Sequence, residues 1–360
     1  VTIDSASLPI PPGTPLQMPG APPPAPVADP FAGLERANTL APESFMQLVV
    51  RRFRKNKAAV VSYWILVFLF VACFPVYYLF VPFDAQLIPH GNGEPQKPGF
   101  YPTDTGGTDP AFESKLKLSL EQRKFKIPGI ALGQQTHLWG TDKQGRDYLS
   151  RCLKGGQISL TVGFVAVGIA VTIGTLLGAI GGFFGGLPDS IISRFTEIML
   201  SLPTFFLIIT IQAVLSPNIY NVMAVIGITS WMGVSRLVRG QVLSQKEEEY
   251  IQASRASGAG LTRILLRHLI PNSIGPIIVA ATLAIPSAIL TESALSYFGM
   301  GVQPPTPSWG NMVADAREWV VSRGVAMWWL VTYPGMLIAI TVIAFNFLGE
   351  GLRDALDPRS

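Results

Sequence analysis

Apolar runs long enough to cross a lipid bilayer recur along this 360-residue chain, and they limit its fold more tightly than any other feature. A bilayer core takes about 20 consecutive apolar residues as a helix. Inside it every backbone N–H and C=O has to be bonded within the segment, so runs of this kind are helices. Six stretches qualify, near 58–82, 158–183, 191–215, 219–238, 273–298 and 328–348. Charged residues make up 14% of the chain, against roughly 25% in a soluble domain. The expected fold is an all-α polytopic membrane protein of six transmembrane helices. Its net charge of +4 is small, and its basic residues cluster beside the apolar runs, which suits anionic lipid headgroups better than nucleic acid.

The runs divide the chain. Residues 1–43 are rich in Pro, Ala and Gly ("PGAPPPAPVADP") and read as a disordered tail, because such a segment buries too little apolar surface to offset its ordering entropy. A basic juxtamembrane segment, 44–57, carries Arg51, Arg52, Arg54, Lys55 and Lys57 directly before the first span and is expected to hold that end in the cytoplasm. Residues 83–155 form a long polar loop on the other side. A five-helix core occupies 156–350, with a cytoplasmic loop at 239–272, and 351–360 make a short cytoplasmic tail. Both termini are then cytoplasmic. The second span is rich in glycine (Gly163, Gly168, Gly174, Gly178), which lets helices approach closely in lipid. "GGFFGGLPDS" is expected to turn the chain into a single third span, and "GVQPPTPSWGNMV" to be an outer loop.

The loop "YIQASRASGAGLTRILLRHLIPN" (250–272) is unusual for being ordered and nearly bare. A first helix is expected over 247–257, with small residues on its surface. Gly258 can take the left-handed backbone that ends a helix. A second helix over 261–270 would place Leu261, Ile264, Leu265 and Leu269 on one face and Arg263 and Arg267 on another, before Pro271 stops it or opens the next span. Two readings follow from the residues alone: a surface that docks into a groove of another protein, or an interfacial hairpin resting on lipid.

This stretch resembles the cytoplasmic loop signature of ABC importer permeases. Gln252-Ala253-Ser254 stand at its Glu-Ala-Ala, Gly258 at its glycine, His268 and Ile270 at its two apolar positions and Pro271 at its proline, with glutamine replacing the acid. "LWGTDKQGRDYLSRCLKGGQISLTVG", "SWMGVSRLVRGQVLSQKEEEYIQAS", "RHLIPNSIGP", "TESALSYFGMG" with "SWGNMV", and "FNFLGEGLRDALDP" are similar to the second permease subunit of oligopeptide and dipeptide importers. The resemblance implies the six-helix type I importer permease fold, placed in the bacterial inner membrane. It implies a loop that couples to an ATPase through Tyr250, Gln252, Ala253, Ser254, Ala256 and Gly258, supported by Arg263, Arg267, His268 and Pro271. It also implies four kinds of partner: a second permease, two ATPase subunits that hold ATP and Mg, an extra-cytoplasmic binding protein, and the peptide it delivers. A permease for another solute of the same family, such as a nickel chelate, is the neighbouring alternative.

No catalytic pattern is present. The dipeptide Gly-Lys of a phosphate-binding loop occurs nowhere, nor does His-Glu-x-x-His or Gly-x-Ser-x-Gly. Cys73 and Cys152 form no metal or disulfide framework and are expected to pack, and the three histidines lie far apart. An ion-driven secondary transporter would need ionisable groups in mid-membrane. The candidates are Arg194 and Glu197, expected to pair on one helix face, and Glu292, expected near the outer end of its span either in a solvated interface or, with Ser296, on the translocation path. Pro304, Pro305 and Trp309 are expected to form a ledge for the binding protein, or a turn with Trp309 anchored at the membrane interface.

Overall fold

The computed structural model describes residues 45–77, 138–142, 145–215, 217–323 and 327–357. The Pro-rich tail and most of the 83–155 loop lie outside the described residues. By compactness the chain divides after Leu48, and everything below concerns the unit from Val49 onward.

The helices are α1 (Phe45–Lys55), α2 (Lys57–Val76), α3 (Tyr148–Phe184), α4 (Gly186–Ser201), α5 (Thr204–Val214), α6 (Ile219–Ile228), α7 (Met232–Gln245), α8 (Glu249–Ala256), α9 (Leu261–Ile264, continuing through Leu265–Leu269 to Ile270–Asn272), α10 (Ile274–Tyr297), α11 (Trp309–Arg323) and α12 (Trp329–Leu356). Four of them, α2, α3, α10 and α12, are long and apolar enough to cross a membrane alone. Two more crossings are available only if the bent pairs α4–α5 and α6–α7 each count as one.

Local chemistry explains where these elements begin and break. The Asn56 side chain accepts the Ala59 N–H and starts α2. Near its far end α2 widens into a π turn over Ala72–Val76 around Pro75, which has no N–H to give. Asp147 accepts from both the N–H and the hydroxyl of Ser150, so α3 begins ten residues before the expected span and runs for 37 residues. The turn expected over "GGFFGGLPDS" shrinks to Gly185 and Gly186, both at positive φ. The expected single third span is instead two helices crossing at 86°. Pro203 forces the preceding Leu202 into an extended backbone, and the helix cannot pass. The fourth run bends by 41° across Thr229–Trp231 and continues to Gln245. The expected outer loop contains a helix, α11, and the expected tail from 351 continues α12 to Leu356.

Glycines set the packing of α3. A methyl on Gly178 would lie 2.4 Å from the Ser235 carbonyl oxygen, and one on Gly174 2.7 Å from that of Trp231, so α7 rests directly on the α3 backbone. Gly163 gives the same room to Ile289 of α10, whereas Gly168 faces open space. One apolar core joins α3, α6 and α10 around Val162, Ile226 and Ile289. A second joins α3, α7, α8 and α9 around Phe183, Val242, Ile251 and Leu269. Cys73 and Cys152 are buried and unbridged, as packing residues would be.

The ends of the bundle are fixed by cross-chain contacts. Arg52 donates to the Asp357 carbonyl at 2.7 Å, Gly275 lies beside Leu356, and Arg255 stacks over Phe183. Both described ends of this unit and the 249–272 loop therefore share one end, here the loop end. Trp309, Tyr148 and Leu330 meet at the other, the cap end.

Candidate functional site

The loop end is built on one anchor and one joint. Glu248 is extended, and α8 follows with Ile251 fully buried against the second core. At its close the Ala259 N–H bonds to the Ser254 carbonyl and the Gly258 N–H to that of Arg255, the paired bonds of a Schellman cap. Gly258 sits at φ +79, with nothing within 4 Å of where a side chain would begin, so backbone conformation alone demands glycine there. The expected left-handed joint is present.

Outside, α8 carries Glu249, Tyr250 and Arg255, and between and after them a lower surface: Gln252, Ala253, Ala256, Ser257 and Gly258 are exposed and Ser254 is half-buried. Gln252 folds back to the Glu247 carbonyl at 3.0 Å, which flattens the surface further. Tyr250 ties the two helices together: its hydroxyl accepts from Asn272 at 2.9 Å and its ring meets the edge of His268. Arg263 and Arg267 are exposed together.

The second helix departs from its expected form. A π turn over Leu265–Leu269 adds a residue to the turn, so Ile264 and Leu269, five apart, share the buried face while Leu261 is left exposed. Pro271 does not stop the helix. It sits in the last turn, and the break comes at Ser273, whose hydroxyl donates to the Leu269 carbonyl and accepts from Gln245.

The cap end contradicts two expectations. Trp309 is fully buried and is no interfacial anchor. Its indole N–H donates to the Cys152 carbonyl at 2.9 Å, and its ring fills room that Gly155 and Gly156 of α3 leave open. Glu292 is also fully buried, not solvated. Ser296 donates to one of its carboxylate oxygens at 2.7 Å and Ser159 to the other at 3.1 Å. Each serine oxygen in turn accepts a backbone N–H, that of Val302 at Ser296 and that of Trp309 at Ser159. Both hydroxyl protons therefore point at the carboxylate, which becomes the hub docking the 301–309 segment onto α3 and α10. Asn311, not anticipated from the sequence, holds the same segment by donating to the carbonyls of Val302 and Thr306. Pro304 and Pro305 remain exposed on the rim.

Two further ion-pair groups escaped the sequence reading. Asp142 and Arg146 pair at 2.6 Å, with Arg151 at 3.2 Å, all nearly buried beside Tyr148. Asp189 of α4 binds Arg239 of α7 through both carboxylate oxygens. Arg194 and Glu197 do pair, at 2.9 Å, with both side chains largely exposed. Among the described residues no relay of ionisable groups links these pairs to Glu292. Among the described residues no cluster of three or more His, Cys, Asp or Glu could hold a metal.

Comparison with known proteins gives the family. Residues 170–360 match the family model described as the binding-protein-dependent transport system inner membrane component. Residues 44–95 match the N-terminal transmembrane domain of oligopeptide transport permease C. The oligopeptide transport system permease protein OppC of Haemophilus influenzae is 44% identical over 224 residues, 62% of this chain and 70% of its own. The dipeptide transport system permease protein DppC of Bacillus subtilis is 37% identical over 316 residues, 88% of this chain and 86% of its own. Among solved structures, a chain of the inward-facing methionine ABC transporter MetNI aligns with 57% of this chain and 97% of its own, at 17% identity and a TM-score of 0.44. The family model over residues 170–360 and the Bacillus subtilis relative lead to one conclusion: the chain belongs to the family of binding-protein-dependent transport system inner membrane components, and is a permease subunit of an ABC importer.

Proposed function

We propose that this subunit forms, with a second permease, the path by which oligopeptides or dipeptides enter the cell, and that α8 is the surface gripped by an ATPase subunit. The observation that carries the reading is α8 itself: a short helix anchored by one buried residue, Ile251, closed by a left-handed glycine, and covered outside by side chains no larger than glutamine apart from Tyr250 and Arg255. The low stretch around Ala253 and Ala256 can enter a groove closely, and Tyr250 and Arg255 beside it can hold the helix in one register. Tyr250, Gln252, Ala253, Ser254, Ala256 and Gly258 form the docking face. Arg263, Arg267, His268 and Pro271 belong to the supporting helix. Peptide as the solute follows from the named relatives.

Six crossings with both termini cytoplasmic fit the bundle. The contact of Arg52 with Asp357 requires an even number of crossings between them, and counting each bent pair once gives six. The basic residues at 51–57 and in the loop then face the cytoplasm, as short basic segments do. The exposed Pro304–Pro305 rim, held by Asn311, faces outward as a ledge for the binding protein. Glu292 and Ser296 act there by positioning that ledge.

Ala253→Trp tests the reading. Reconstituted complexes carrying it should retain every subunit yet lose both the stimulation of ATP hydrolysis by loaded binding protein and peptide uptake. Parent-like hydrolysis and uptake would remove α8 from the interface and leave the loop as a hairpin resting on lipid.

A further inference from the structure

We propose that the cleft between α2 and α12 is a binding site for an anionic glycerophospholipid, with an acyl chain in the cleft and the phosphate at its basic mouth. The walls are built at helical spacing. Ala58, Val61, Ser62 and Ile65 line one side, and Ile340, Ile343, Ala344 and Phe347 the other. Small residues form the floor, since Ser62 and Ala344 are buried, while Val61, Ile343 and Phe347 stand exposed as rims. At the loop end the helices touch: a methyl on Gly351 would lie 2.2 Å from the Ala59 Cβ. The cleft runs beside that contact, from a loop-end mouth lined by Lys57 toward Ile65 and Ile340.

Size and charge select the occupant. The cleft offers about 410 Å³ of free space. Its walls span two helical turns, about 10 Å, which takes part of one acyl chain. The mouth is basic. Lys57 lines it, and the chain leading into it carries Arg51, Arg52, Arg54 and Lys55. The contacts of Arg52 with Asp357, and of Asn56 with Asp354, bring this basic segment onto the end of α12. Basic pockets between membrane helices hold anionic headgroups in this way. The site rests on the chain lying in a membrane and is independent of the solute it carries.

The test uses the full chain in its complex, solubilised in detergent with equal amounts of dioleoyl phosphatidylglycerol and dioleoyl phosphatidylcholine, and read by native mass spectrometry. Phosphatidylglycerol should be retained in preference. Lys57→Gln, at an exposed position, should lower that preference about fivefold. Ala344→Trp, which fills the floor, should reduce retention of phosphatidylglycerol with all subunits still present. Equal retention of the two lipids by the parent would overturn the proposal, as would an unchanged preference in Lys57→Gln. So would a photocrosslinker at Ile343 that attaches to the second permease, because the cleft would then hold protein.

Discussion

At the cap end Trp309, Glu292 and Asn311 are sealed inside the chain with partners for their polar atoms, whereas at the loop end Ala253, Ala256 and Gly258 face outward and touch little. The contrast separates two ways of using small residues. At the cap end Gly155 and Gly156 are small so that the chain can pack an indole against its own helix. At the loop end Gly258 leaves space that none of the described residues fills. The first use stabilises the subunit, and the second is the one we propose for docking.

Four substitutions test that contrast. Trp309→Ala should have the largest effect, a loss of about 3–5 kcal/mol, because it empties a fully enclosed site. Thermal unfolding of the solubilised protein would show it, and a loss under about 1 kcal/mol would mean that the cap end is not a core. Gly178→Val should cost about 1–3 kcal/mol by forcing α7 off α3, where no side chain can yield to the new methyl groups. The same assay applies, and an unchanged midpoint would show that α7 can slide. Gly258→Val should cost about 1–2 kcal/mol through the left-handed backbone alone. Gly258→Asn should restore most of that, since asparagine visits the same region. Equal losses from the two would point to a steric cause that the open space around Gly258 does not supply. Ala253→Trp should change stability by less than about 0.5 kcal/mol, as exposed sites do. A large loss of stability there would mean that α8 is already packed, and the contrast would collapse.

The sequence carried the loop end well. A left-handed glycine between two short helices, and the bare surface of the first, were legible because both depend on residue type within one or two turns. The apolar runs also located the helices, since lipid imposes its length requirement on each run separately. Less was legible where the outcome depended on partners distant in sequence. Glu292 looked solvated because its neighbours in the chain are polar, yet Ser159, 133 residues away, completes its enclosure. Trp309 looked interfacial because tryptophan often is, and only the two glycines of α3 reveal the pocket made for it. The break at Pro203 was available locally, in the rule that a residue before proline leaves the helical region. The apolar run on either side masked it, since hydropathy is blind to direction.

The 37 residues of α3 have a mechanical consequence. At 1.5 Å per residue the helix is about 55 Å long, well beyond a hydrocarbon core of about 30 Å. It touches α7 beside the 249–272 loop at one end and Trp309 at the other, which is the arrangement of a lever arm if α8 is gripped as proposed. A tilt of one degree displaces its far tip by about 1 Å over that length. A closing ATPase that rocks one end by a few degrees would shift the outer ledge by several ångströms, and no signal need pass from side chain to side chain in between.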